Sequence, residues 1–221
     1  MSIYIPDLVL FEDEYIVVIN KPTGLMVEPD RNQNPSLLNE VKKYLQAATG
    51  ETAPYAQHIH RLDRAVSGIV LFTKKREALK NLSEQFAERR VKKFYKAITN
   101  QAPPKRQGRL EHWHRKEKKK AALYNNPIEY SENAILDYTV TALPDNKFLW
   151  DIELQTGKYH QVRAQLASTG CPIIGDALYG SDIPYQPNAI ALQAWRLVFE
   201  HPASKQVMDI KIDLTLARST P

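Results

Sequence analysis

The sequence predicts an α+β fold, a mixed, largely antiparallel sheet core flanked by a few helices. Three observations carry this. Strand-like runs joined by short turns dominate the 221 residues, and helices are few between them. Helical periodicity is confined to three stretches. No internal repeat, low-complexity linker or break in composition divides the chain, so residues 1–221 are expected to form a single domain.

Taken in order, Leu8 to Phe11 and Tyr15 to Ile19 read as two strands around "EDE", followed by a loop through "NKPTGLMVEP". Ser36 is placed to cap a helix with Leu37, Leu38, Val41, Tyr44 and Leu45 on one face, stopping near Gly50. "GIVLFTK" reads as a buried strand, "KREALKNLSEQFAERR" as a helix and "VKKFYKAIT" as a strand. From Gln101 to Lys120 the chain is basic and interrupted by Pro and Gly, with no element assigned. Residues 135–143 and 148–154 pattern as paired strands, since Phe148, Trp150, Ile152 and Leu154 alternate with polar positions. "KYHQVRAQLASTG" reads as a helix stopped by Gly170, and "QAWRLVFEH" and "VMDIKIDLTL" close the chain as strands.

Composition limits the function classes. Thirty Lys plus Arg against 25 Asp plus Glu give a net charge of +5, which permits a polyanionic partner without requiring one. The single cysteine, Cys171, excludes an internal disulfide and a multi-cysteine zinc site, and it fits a reducing cytoplasm. No long apolar run or signal-like N-terminus is present, so neither a membrane span nor export is expected.

The chemistry concentrates in "HIHRLDRAVSG", residues 58–68. His58-x-His60 with Asp63 is similar to the H-x-H-x-D-H run of zinc hydrolases, because imidazoles two apart on a strand share a face. The carboxylate stands one residue later than that pattern requires and no histidine follows it, so no metal is expected. His58 and His201 are read as structural histidines. Three further stretches carry reactive or cationic groups: "KKFYKA" with Tyr95, "TGKYHQVRAQLA" with His160 and Arg163 three apart on one helix face, and "GCPIIGDALYG" with glycines that allow close backbone approach.

Together these stretches resemble the RluA-type pseudouridine synthases. That family's H-R-L-D-x-x-T-S-G, K-x-Y-x-A, T-G-R-x-H-Q-I-R, G-D-x-x-Y-G and L-H-A-x-x-L-x-F-x-H-P read here as "HRLDRAVSG", "KFYKA", "TGKYHQVR", "GDALYG" and "LQAWRLVFEHP". They run in family order from residue 58 to 202, and "NKPTGLMV" matches as well. Val66, Lys158 and Gln193 replace the usual threonine, arginine and histidine; Lys158 lacks the bidentate fork an arginine offers a phosphate.

The resemblance implies a pseudouridine synthase-like fold in a single catalytic domain, a short form without an N-terminal S4 domain. It implies a reaction that breaks the N1–C1′ bond of uridine, turns the uracil, joins C5 to C1′ and releases the C5 proton. No cofactor is expected, because no redox step or group transfer is involved. Asp63 becomes the catalytic carboxylate, attacking C1′ or abstracting the 2′ proton, with Arg163 as the guanidinium that keeps it ionised. Tyr95 becomes the ring lying against the uracil and a candidate acceptor of the C5 proton. Since the target must leave its stack, Arg61 is expected to fill the gap or hold the flanking phosphate. His60, Arg64, Lys93, Lys158 and His160 are expected as further substrate contacts, and "HRKEKKK" (114–120) as a phosphate-binding or merely solvated run. The implied partner is ribosomal or transfer RNA presenting a uridine in a structured loop, with no membrane and no metal, to a monomeric cytoplasmic enzyme. Two other classes stay open on the residues alone: a non-catalytic RNA-binding protein of the same fold, and a zinc hydrolase using His58 and His60.

Overall fold

The structure, a computed structural model, describes residues 3–30 and 34–216. It divides into two compact units, the described residues of Met1–Val91 with Arg196–Ile212 and those of Lys92–Trp195 with Asp213–Pro221.

The first unit is built on strands β1 (Val9–Glu12), β2 (Ile16–Lys21), β3 (Gln57–His58) and β4 (Ser67–Thr73), with helices α1 (Leu37–Thr49) and α2 (Arg76–Ala87). β2 pairs antiparallel with β1 and with β4, in a register that sets Lys21 opposite Gly68. Both faces of β2 and β4 are buried, which is why each reads as a continuous apolar run. Ile16, Val18, Ile69 and Leu71 form a core with Leu82 of α2, Val91, Leu197 and Phe199. Helix α1 starts where the sequence says: the Ser36 hydroxyl accepts from Asn39 N at 3.3 Å, and Gly50 ends it in the left-handed region at φ 74°. Helix α2 stops at Ala87, short of the "ERR" tail, because Arg89 turns to φ 58°.

The second unit is the antiparallel series β5 (Lys92–Thr99), β9 (Lys147–Leu154), β8 (Glu132–Leu143), β6 (Gln107–Glu117) and β7 (Lys120–Tyr124). Trp150 is fully buried and donates to the Thr99 hydroxyl at 3.0 Å. The remaining strands are β10 (Leu192–Glu200) and β11 (Val207–Lys211); Arg196 to Glu200 pair with β11 antiparallel.

The stretch from Gln101 to Lys120 differs from the reading above. Most of it is strand β6, which turns at Lys118 (φ 51°) into β7. Two inward positions are His112 and His114 rather than aliphatic residues, so the two-residue alternation is invisible to hydropathy. His114 Nε2 lies 2.7 Å from Tyr159 O, and His112 Nδ1 3.2 Å from Gln165 Nε2. Helix α3 (Gln161–Ser168) is shorter than predicted and begins after His160, whose φ of 51° is left-handed. Gln161 through Leu166 are all buried, so α3 has no polar stripe for the sequence to show. Its glutamines are satisfied instead: Gln165 Nε2 donates to Ala134 O at 3.0 Å and Gln161 Nε2 to Ile135 O at 3.1 Å.

Candidate active site

In the first unit the loop after β2 and the loop carrying Asp63 are tied together by a main-chain bond and a side-chain bond. Gly24 N donates to Arg64 O at 2.8 Å, and the Arg64 guanidinium returns a bond from Nε to Gly24 O at 2.9 Å. Val66 N donates to Asp63 O at 3.0 Å, closing the turn that leads into β4. Asp63 itself is half-buried.

Between these loops sits a residue the sequence reading missed. Lys21, at the end of β2, is completely buried. Its ammonium donates to the carbonyls of Leu25 at 2.8 Å, Pro22 at 2.9 Å and Arg64 at 3.4 Å. Three acceptors match its three donors. Burial pulls its pKa down to about 7, while the nearby Asp63 carboxylate pulls the other way. In the sequence it stands in "NKPTGLMV", which matches the family pattern, but it was given no role there, because Lys at a strand end ordinarily faces solvent.

A lysine depressed from 10.5 to about 7 makes folding stability depend on pH. The unfolded chain binds this proton more tightly, so the lysine's contribution is complete above pH 10.5 and falls as pH drops toward 7. Lys21→Met removes three hydrogen bonds and the titration together. Urea unfolding should find the variant less stable throughout, with the gap to wild type widening by a few kcal/mol from pH 7 to pH 10. A gap independent of pH would mean that Lys21 titrates normally.

Of the other predicted residues here, Arg61 is exposed and paired with Glu28, whose second carboxylate oxygen lies 3.4 Å from His58 Nε2. His60 accepts from Leu71 N at 3.2 Å through Nε2 and stacks on Phe86 at 5.2 Å. β3 ends at His58, so the two imidazoles do not share a strand face as the metal comparison required. Among the described residues no group of three or more His, Cys, Asp or Glu is arranged to hold a metal ion. His201 sits against Asp13, Nε2 to Oδ2 at 2.7 Å, and its Nδ1 accepts from Ala203 and Ser204 N.

In the second unit, Tyr95 is buried on β5 opposite Ile152. Lys93 lies opposite Leu154, near Gly157, and Lys96 bonds Asp151 at 2.5 Å. Arg163, on the first turn of α3, makes a bidentate pair with Asp176: Nε to Oδ2 at 2.7 Å and Nη2 to Oδ1 at 2.8 Å. Only 9% of the arginine side chain and 1% of the aspartate are exposed. Asp176 stands in "GDALYG", noticed for its glycines rather than its acid. The close approach falls on Gly175 alone of the three: at φ 87°, a Cβ there would lie 2.6 Å from Tyr185 Cβ.

Tyr179 completes this neighbourhood. Arg163 lies over its ring at 5.2 Å, and its hydroxyl accepts from Ala121 N at 2.7 Å and meets His160 Nδ1 at 3.2 Å. Lys158 forms an ion pair with Glu132. His160 and Arg163 therefore do converge, through Tyr179 rather than along one helix face.

Residues 15–168 match the sequence family described as RNA pseudouridylate synthase. Among curated proteins, the dual-specificity RNA pseudouridine synthase RluA of Escherichia coli is 30% identical over 210 residues, 92% of this chain and 91% of that protein. The ribosomal large subunit pseudouridine synthase D of Nitrosomonas europaea is 32% identical over 221 residues, and the RNA pseudouridine synthase YhcT of Bacillus subtilis is 30% identical over 215. This chain spans 61% and 66% of those two proteins. In fold it is similar to human RNA Pseudouridylate Synthase Domain Containing 4, with a TM-score of 0.78 at 22% identity over 95% of this chain and 89% of that one. A family match over most of the chain, carried by a buried strand, an aspartate loop and an arginine helix in the family's order, places the chain in the RNA pseudouridylate synthase family.

Proposed function

We propose that the protein isomerises uridine to pseudouridine in RNA, with residues 1–221 acting as one catalytic domain. The observation that carries this is the family match together with an unaltered aspartate, tyrosine and arginine at the motif positions, Asp63, Tyr95 and Arg163. A binding protein that had lost the activity would be free to lose those side chains. Asp63 supplies the charge for cleavage of the N1–C1′ bond, and Arg163 the compensating guanidinium. Arg61, His60, Arg64, Lys93, Lys158 and His160 are proposed as contacts to the RNA. The substrate is a uridine in a structured loop of ribosomal or transfer RNA, and the enzyme works as a cytoplasmic monomer. No helix among the described residues is long and apolar enough to cross a membrane. The isomerisation exchanges one glycosidic bond for another and moves protons only, so it calls for neither a cofactor nor a metal. Mapping pseudouridine across total RNA from cells with and without the protein tests this: at least one uridine should lose its modification, and identical maps would overturn the activity.

Tyr95 has two proposed tasks, and substitution separates them. Phenylalanine keeps the flat ring, whose stacking on an extruded base contributes about 1–3 kcal/mol; alanine loses ring and hydroxyl. If the hydroxyl takes the C5 proton, Tyr95→Phe should consume uridine yet fail to release tritium from C5-labelled RNA in a rapid-quench assay. Release at the wild-type rate, with only the alanine variant impaired, would leave Tyr95 as a stacking platform.

A further inference from the structure

We infer that Tyr159 is a stacking site for an unpaired nucleobase of the RNA, next to but separate from the residues assigned to the reaction. This rests on the reading of the protein as an RNA enzyme and adds a contact to it. The motif resemblance does not suggest it, since Tyr159 fills the unspecified position of "TGKYHQVR".

The ring has two faces with different neighbours. His160 stacks on it at a centroid distance of 3.8 Å and an interplanar angle of 18°, which fills one face. The Lys116 ammonium lies over the ring at 4.5 Å, and with the first face filled it must lie over the second. That lysine is exposed, near the end of β6 on the same face as His114. Among the described residues the group recorded over the second face is this flexible, hydrated cation, and Tyr159 stays partly exposed.

The ring is firmly held. Tyr159 O accepts from His114 at 2.7 Å, with Nε2 carrying the proton, and its hydroxyl donates to Lys119 O at 3.3 Å. Beneath it, His160 meets Tyr179 edge-on at 5.8 Å, and Tyr179 lies against Arg163. An aromatic plane fixed on one side and lightly capped on the other is what base stacking needs.

The surrounding charge selects a polyanion. Lys116, Lys118, Lys119 and Lys120 are exposed around the β6–β7 turn, whereas Arg115 is engaged by Glu117 and Lys158 by Glu132. A nucleobase on the second face displaces Lys116 from a cation–π contact, the weaker interaction at an exposed site. The released ammonium then reaches the phosphate of the same nucleotide. One exchange yields both a stacked base and a phosphate contact, without base specificity.

The test uses a short stem–loop RNA carrying 5-iodouridine in its loop, ultraviolet cross-linking with peptide mapping, and titrations of binding against salt. Wild-type protein should cross-link at Tyr159. Tyr159→Leu should bind about tenfold more weakly, whereas Tyr159→Phe, which keeps the ring and loses only the bond to Lys119 O, should bind as wild type. Lys116→Met should reduce the slope of log affinity against log salt by about 0.7. Equal binding by Tyr159→Leu, equal losses in the Leu and Phe variants, or cross-links confined to other residues would overturn the site. The two readings fail separately. Wild-type protein that cross-links at Tyr159 but forms no pseudouridine leaves the site and removes the activity. Active protein with unaltered Tyr159→Leu binding does the reverse.

Discussion

Replacing Asp63 by asparagine should reduce pseudouridine formation below detection while RNA binding persists. Asparagine keeps the shape of the side chain, removes the charge and exchanges one acceptor oxygen for an amide donor. The turn built on Asp63 survives, because its bond from Val66 N goes to the main-chain carbonyl. The loop clamp also survives, since Gly24, Arg64 and Lys21 are joined through main-chain acceptors. Lys21 loses the carboxylate opposing the effect of its burial. With its pKa already near 7, it can shed the proton at little cost, so the variant should fold. A loss of at least about 10⁴-fold in rate corresponds to roughly 5.4 kcal/mol of transition-state stabilisation. Turnover of a defined target RNA and its affinity, measured on the same preparation, decide the matter. Normal turnover would remove Asp63 from the mechanism, and joint loss of binding and turnover would make it a structural residue.

The parts of the molecule that could be read from sequence are those where local rules act alone. The Ser36 cap, the Gly50 stop and the alternation in β9 each follow from one residue type or one period, and each stands where expected. The parts that could not be read are those where a polar side chain does the work of an apolar one. β6 hides its inward face behind His112 and His114. α3 is buried through Gln161, Arg163 and Gln165, so its hydropathy shows neither face nor length. Lys21 and Asp176 were missed for a related reason. A lysine or aspartate buried to 0% or 1% exposure is the rare case for its type, and only the partners reveal that it is inside. The motif resemblance covers both Arg163 and, in "GDALYG", Asp176, but it does not show that the two grip each other, because they stand 13 positions and a glycine turn apart.

That grip sets the second large effect. Arg163→Ala should cost both activity and stability. It leaves the Asp176 carboxylate buried without the bidentate partner, a loss of about 3–5 kcal/mol for a pair as buried as this one. For a chain of this size that lowers the melting temperature by roughly 6–20 °C. Taken alone the result would not separate a catalytic arginine from a structural one, but removing the stranded acid does. In the Arg163→Ala, Asp176→Ala double variant the uncompensated charge is gone, so much of the lost stability should return. Activity should not return with it, since the guanidinium proposed to balance Asp63 is still missing. Calorimetry and pseudouridine formation on the single and double variants test both halves. A double variant that regains stability and rate together would make Arg163 purely a partner of Asp176, and the charge balancing Asp63 would have to come from another cation. The buried Lys21 is the first to test, being the one whose pKa already responds to that carboxylate.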